Sequence, residues 1–487
     1  MQNIRTLAHY IAGEWQNGSH GQWKDDLNPS DATQVLARVP LGEPDQINRA
    51  AEAAHRAFAL WRAKTGPERA ELLYRAAELL AARRQELGTV VAQEVGKPIG
   101  EAIPEVDRGV MILRYFASEA VHPQGQVIPA QKAGSLQFTL RQPVGPLAVI
   151  SPWNFPVAIP LWKMAPALAY GNTIVWKPAE TASFTAVHLA EVFAAAGFPA
   201  GVVNLLLGKG STIGDTLINH EAIRGVTFTG SDGVGMGIAT LAAKRNIKFQ
   251  LEMGGKNAVI VLPDADLEQA AKLTAAGAMR FAGQKCTATS RAIVAAEVQD
   301  QFIDLLKKEI LALPVAPAVD AKSAVGPVIS DDSLEKVALY AAKGADSGQV
   351  VLGGKKLATD PLGKGYFFEP TVIANVSPDA DVAQDEVFGP LLVLHEAHSV
   401  SEAISIANNS RYGLSVSLFT RDISSALEYI HDIECGMVRV NGDTTGVDPH
   451  APFGGMHNSS SHSREQGPAA IEFFTEIKTI QINSTGA

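Results

Sequence analysis

Val202-Val203-Asn204-Leu205-Leu206-Leu207-Gly208-Lys209-Gly210-Ser211-Thr212-Ile213-Gly214 reads as an apolar strand that runs through a glycine turn into a helix. Outward from it the same alternation repeats. Apolar runs at 147–150, 173–176, 226–228 and 247–251 read as strands, and 162–170, 185–196, 213–219 and 233–243 carry helical spacing between them. Strands that alternate with helices in this way predict a parallel sheet covered on both faces. A second series follows Glu252, with strands at 258–262 and 292–295 and helices at 267–281 and 302–313, and it resumes beyond Gln349. The fold class is therefore α/β, with two α/β units that divide near Met253-Gly254-Gly255.

The first third reads as helical. Pro44-Asp45 opens a segment with Ile47, Ala50, Ala51, Ala54, Phe58 and Trp61 at helical spacing, and Pro67-Glu68 opens a second. A proline near the first helical position and an acid in the first turn both suit a helix N-terminus. Segments 136–141 and 480–482 alternate apolar and polar residues, as half-exposed antiparallel strands do. They predict a small third element whose open edge pairs with a second subunit. The expected units are 1–120 with 143–252, then 253–440, with 121–142 and 470–487 forming the third element.

Composition narrows the function. The chain has 487 residues, 46% hydrophobic and 19% charged, and a net charge of −10. That balance suits a globular protein and leaves no basic footprint for nucleic acid. No apolar run reaches the roughly 18 residues that span a bilayer, and the first residues lack the apolar core of a signal peptide, so a cytoplasmic protein is expected. Two cysteines, Cys286 and Cys435, do not make a disulfide framework. No CxxC, HExxH or clustered ligand spacing appears, so no metal is expected.

Two glycine loops bear on a cofactor. Gly208-Lys-Gly210-Ser-Thr-Ile-Gly214 has the strand-to-helix context of a dinucleotide fingerprint, but its third glycine comes one residue late for GxGxxG. Gly225-Val-Thr-Phe-Thr-Gly230-Ser231 also ends a strand and opens a helix, where backbone N–H groups favour a pyrophosphate. Both loops are equally readable as tight turns that use glycine for positive φ.

Seven segments, in order, are more specific than either loop. They are 152–156 (PWNFP), 177–180 (KPAE), 228–231 (FTGS), 251–256 (LEMGGK), 283–287 (GQKCT), 386–390 (EVFGP) and 452–455 (PFGG). Together they resemble the successive signatures of the aldehyde dehydrogenase superfamily, from about residue 10 to the tail. The resemblance implies a Rossmann-like cofactor domain, an α/β catalytic domain and a bridging β element, assembled as a homodimer or homotetramer. It also implies that the pyrophosphate lies near the FTGS turn, which would account for the displaced fingerprint.

The same resemblance assigns roles. Hydride cannot easily leave a neutral trigonal aldehyde; addition of a thiolate makes a tetrahedral alkoxide from which hydride departs to leave a thioester. Cys286 is implied as that nucleophile, with Cys435 left as a core residue. Asn154 would hold the oxyanion with the backbone N–H of Cys286. Glu252 would activate water for thioester hydrolysis, and Lys163 with Glu465 match a pair that relays its proton; surface charges are the alternative for both. NAD or NADP would be held by Trp153, Lys177, Glu180, Gly208, Gly230, Ser231, Gly254, Glu386 and Phe388. A carboxylate at Glu180 favours NAD, while Lys177 beside it keeps NADP open.

The implied substrate is an aldehyde, in a pocket that includes Phe453 and position 280. Here that position is Arg280, which would clamp a distal carboxylate, or else point to solvent from a helix end. Lys285 would lower the Cys286 pKa or face outward. Residues 452–467 resemble the branch that contains α-ketoglutarate semialdehyde (2,5-dioxopentanoate) dehydrogenases. The alternatives are a general aliphatic or aromatic aldehyde dehydrogenase, a thiol hydrolase built on Cys286, and an inactive structural homologue.

Overall fold

A computed structural model describes residues 4–18, 23–122 and 125–484. The small parts of the expected units at 1–3, 19–22, 123–124 and 485–487 lie outside the described residues.

Four helices lead into the first sheet: α1 (Pro44–Ala63), α2 (Gly66–Ala82), α3 (Arg84–Val95) and α4 (Ile99–Glu119). Helix α2 begins at a reciprocal cap. The Glu68 N–H donates to Thr65 Oγ1 at 3.4 Å, and the Thr65 N–H donates to Glu68 Oε2 at 2.7 Å. Helix α5 (Ala158–Ala169) is buried along its whole length and packs on α4.

The first sheet has seven strands, in spatial order Lys248–Glu252, Gly225–Thr229, Pro146–Ser151, Thr173–Pro178, Val203–Leu205, His9–Ile11 and Glu14–Gln16. The first five are parallel; the last two add antiparallel at the edge. All of Thr173–Pro178 is buried, because helices cover both faces and leave no polar side. The second sheet orders Gln349–Leu352, Thr371–Ala374, Leu391–Ala397, Arg291–Ala295, Ala258–Val261, Ser415–Phe419 and Met437–Val440, with only the first strand antiparallel. A third, antiparallel sheet pairs Thr475–Asn483 with Ser135–Pro143 over nine residues, with Val127–Ile128 outside.

The α/β expectation holds in both series. One reading is corrected: the first third is not wholly helical. Trp23–Asn28 and Asp31–Pro40 form a hairpin, and His9–Ile11 joins the first sheet. The charged run Lys24-Asp25-Asp26 hides the alternation of the hairpin, and the three-residue strands are too short to show a period.

In the first sheet the chain leaves Pro146–Ser151 toward Thr173–Pro178 and Val203–Leu205, then returns to its other side with Gly225–Thr229. That reversal opens a crevice at the carboxyl ends of the two neighbouring strands 146–151 and 225–229, the place where open α/β sheets bind ligands. Among the described residues no helix is long and apolar enough to cross a membrane.

Candidate active site

The crevice is a cleft of about 260 Å³. Its walls bring together Trp153, Asn154, Gly230, Ser231, Gly254, Cys286, Glu386 and Phe388, eight of the residues expected from sequence, from segments spread over 236 positions. Trp153 and Asn154 follow one central strand and Gly230 and Ser231 the next, so sheet topology aims both turns at one space. Trp153 stands edge-on to Phe388 at 5.6 Å and to Phe281 at 6.3 Å.

Cys286 arrives on strained backbone. Phe281 (φ +56°) and Ala282 (φ +51°) are left-handed non-glycine residues that follow helix Leu267–Met279. Such conformations cost roughly 1–2 kcal/mol per residue and persist where the surroundings over-determine them. Here two amides do so. Gln284 donates to Pro327 O at 3.0 Å and accepts from the Ile329 N–H at 2.9 Å. Asn257 donates to the carbonyls of Cys286 at 2.8 Å and Ala288 at 2.9 Å, and accepts from the Ser415 N–H at 3.0 Å. Sequence reasoning assigned neither residue a role. The signal was available for Asn257: a polar residue at the head of the fully apolar strand Ala258–Val261 needs partners of its own.

Asn154 is buried, and its Nδ2 donates to the carbonyl of Gln284 at 3.1 Å, two residues before Cys286. Burial pushes the Cys286 thiol up to about 12, and the charges of Glu386 and Glu252 add to the shift. The thiol is therefore neutral at pH 7 and needs a base. Lys285 does not lower it: its ammonium pairs with Glu101 at 2.7 Å.

Glu252 ends the strand Lys248–Glu252 and is buried. Burial and then the charge of Glu465 hold its carboxyl well above the usual carboxylate range, against a 2.6 Å hydrogen bond from Ser460 Oγ to Oε2. Its other oxygen, Oε1, is shut from solvent and has no partner among the described residues. Lys163 and Glu465 are not surface charges. They form a fully buried ion pair, and Lys163 also donates to Thr227 Oγ1 at 3.0 Å. Phe453 packs on Trp162 with ring centroids 5.3 Å apart.

Four features fit a nicotinamide dinucleotide. The cleft lies at the topological switch point. Helix Asp232–Lys244 begins directly after Ser231, whose side chain does not cap it, so its N-terminus faces the turn. Thr229 Oγ1, on the wall, is buried without a partner among the described residues. A Cβ on Gly254 would meet Glu386 Oε2 at 2.5 Å, so only glycine lets that carboxylate reach the cleft. Burial raises Glu386 to about 6, opposed by the Gly255 N–H at 3.0 Å.

Lys177 and Glu180 continue along the same carboxyl edge, outside these walls. Lys177 is buried, which pulls it down to about 8, and Glu180 pairs with Lys24 at 2.9 Å. Gly208 lies outside these walls too, and at φ +123° its missing Cβ clears the Gly42 nitrogen, 2.6 Å from where that carbon would stand.

The model of the aldehyde dehydrogenase family matches residues 15–480. The chain belongs to that family. It is 44% identical over 98% of both chains to the α-ketoglutaric semialdehyde dehydrogenase of Bacillus subtilis. A second relative, the α-ketoglutarate semialdehyde dehydrogenase of Haloferax volcanii, is 39% identical over 97% of this chain and 98% of its own. The crystal structure of betaine aldehyde dehydrogenase from Staphylococcus aureus in complex with NAD⁺ superposes with a TM-score of 0.96, at 33% identity over 99% of this chain and 96% of that one. This aldehyde dehydrogenase carries out NAD(P)-dependent oxidation of an aldehyde to an acid.

Asn154→Ala tests the oxyanion assignment. The expected result is a kcat lower by about 10²–10³-fold with KM little changed, measured by steady-state kinetics.

Proposed function

We propose that this enzyme oxidises a carboxylated semialdehyde, α-ketoglutarate semialdehyde, to the corresponding dicarboxylate through a thioester on Cys286. The observation that carries the chemistry is the convergence of Cys286, Asn154 and the carboxyl-strand cleft, with the buried Glu252 among the charges acting on the thiol. The substrate reading rests on the relatives of that named activity.

In this reading Glu252 takes the Cys286 proton and the sulfur adds to the aldehyde carbon. The alkoxide is held by Asn154 Nδ2 and the Cys286 N–H as hydride leaves. When bound, the dinucleotide supplies the hydride acceptor. Glu386 and Phe388 orient its nicotinamide half, Trp153, Gly230, Ser231 and Gly254 line its path, and Lys177 and Glu180 take its adenosine ribose, with Gly208 supporting the turn beside Lys177. Glu252 passes the thiol proton to the buried Lys163–Glu465 pair and, as a carboxylate again, removes a proton from the water that hydrolyses the thioester, which leaves by the same pair. A carboxylate at Glu180 favours NAD⁺, since it accepts ribose hydroxyls and repels a 2′-phosphate.

Phe453 contributes an apolar wall to the aldehyde pocket. Arg280, exposed at the end of helix Leu267–Met279, contributes positive charge at its mouth, where its field acts on Glu101. The units 1–120 with 143–252 hold the cofactor and 253–440 the nucleophile, in a cytoplasmic homodimer or homotetramer. The third sheet supports the assembly, because Leu136, Leu140 and Ile482 lie exposed on paired strands. Leu136→Asp with Leu140→Asp is expected to reduce the mass measured by light scattering; an unchanged mass would place the interface elsewhere.

Initial rates at 340 nm with NAD⁺ and NADP⁺ test the whole reading. α-Ketoglutarate and succinic semialdehydes are expected to exceed propanal and benzaldehyde at least tenfold in kcat/KM. Equal rates would leave an aldehyde dehydrogenase of another specificity.

A further inference from the structure

The cleft has two walls that come from different sheets. Ser231 ends the turn after strand Gly225–Thr229 of the first sheet, and Glu386 lies on the segment that leads into strand Leu391–Ala397 of the second. A ligand that bridges two separate walls is bound well only if their spacing is held, because a small misplacement costs much of the interaction.

Each of these wall residues has an aspartate beside it. Asp232 opens the helix after Ser231, and Asp385 directly precedes Glu386. Arg411 and Tyr412 reach both. The Tyr412 hydroxyl donates to Asp232 Oδ2 at 3.0 Å, and Arg411 Nη1 donates to Asp385 Oδ1 at 3.0 Å. Arg411 Nη2 donates to the Tyr412 oxygen at 3.2 Å, and its Nε stands 3.7 Å from Asp232 Oδ2. On the second wall the Tyr340 hydroxyl binds Asp385 Oδ2 at 2.7 Å, and the buried Lys256 donates to the Asp385 carbonyl at 2.7 Å.

The two links differ in strength. Tyr412 is buried, so its hydrogen bond to a carboxylate is shielded from water. The Arg411 side chain is 44% exposed, and solvent screens its part. Against burial, hydrogen bonds from Tyr340 and Arg411 hold the Asp385 carboxyl below its usual range, so it stays charged. Besides burial, the charge of Asp232 helps to raise Glu386, so the first wall acts on the second across the cleft. Two carboxylates beside an anionic cofactor would repel it, and the guanidinium between them offsets that charge.

We propose that Arg411 and Tyr412 form a clasp that ties Asp232 to Asp385, fixing the spacing between the turn at Ser231 and the carboxylate of Glu386. This rests on the reading above that the dinucleotide lies along this cleft with Glu386 on its nicotinamide half. Arg411 and Tyr412 are positioning residues: they act through the two walls and not on the aldehyde.

The test measures NADH affinity by fluorescence titration and the inhibition constant of AMP, which has only the adenosine half. Arg411→Ala is expected to weaken NADH and raise the KM of NAD⁺ by roughly 5–30-fold, with the aldehyde KM and the AMP constant unchanged within about twofold. Tyr412→Phe should show the same selectivity with a loss of roughly 3–10-fold, and it answers the question should Arg411→Ala fail to fold. Arg411→Lys, which keeps the charge without the fork, should fall between the parent and Arg411→Ala. Asp232→Asn added to Arg411→Ala should lose little more than Arg411→Ala alone, since both break one contact. Equal weakening of NADH and AMP, or of neither, would overturn the clasp, as would losses that multiply in the double variant. Glu386→Ala tests the cofactor reading separately. If it binds NADH as the parent does, that reading falls and this inference with it; if it weakens NADH while Arg411→Ala does not, only the clasp falls.

Discussion

Cys286→Ala is expected to leave a protein that folds and binds NAD⁺ yet forms no NADH, with turnover lower by at least about 10⁴-fold. The size of the effect follows from the chemistry. Without the sulfur there is no tetrahedral adduct, and hydride has nowhere to leave from. Alanine removes no hydrogen bond that holds the loop, because Asn257 binds the carbonyl of residue 286 and not its side chain. The thermal midpoint should therefore stay near that of the parent. Residual NADH formation at parental rate would mean that another residue is the nucleophile. The other cysteine is no substitute on physical grounds: Cys435 is buried in a separate core and its Sγ donates to Met437 O.

Glu252→Gln is expected to separate the two halves of the reaction. Mixing enzyme, NAD⁺ and aldehyde should release about one NADH per active site, followed by a steady rate lower by about 10²–10⁴-fold. The burst itself should be slow at pH 7 and faster as pH rises, because a thiol pushed up to about 12 then loses its proton without help. In the parent the sign follows from the direction of the Glu252 shift. Only its carboxylate is a base, and burial beside Glu465 raises its pKa, so kcat/KM falls as pH drops through that raised value. The variant should lose this limb of the profile. An unchanged steady rate, measured by stopped flow at 340 nm, would remove Glu252 from both steps.

These two residues show how differently the site reads from sequence. Cys286 and Glu252 stand in motifs that are informative one at a time, since a GQKCT or LEMGG segment needs no partner to be recognised. Lys163 and Glu465 were as readable as surface charges as they were as a relay, because a charged residue declares its partner only when folding brings together two positions that lie 302 apart in the chain. Asn257 gave no motif at all. It is marked by three hydrogen bonds that pin a loop, a property of burial.

By itself the sequence determined the α/β class, the alternation of strands and helices in the two α/β series and the family, and it singled out Cys286 as the candidate nucleophile. Local periodicity and short motifs are written in contiguous residues, so chain order preserves them. Tertiary structure alone decided that the glycine at 208 spaces two backbones, that Lys285 is neutralised by Glu101, and that the thiol is held neutral. Those outcomes depend on desolvation and on charges brought close from distant segments, and neither quantity exists until the chain has packed.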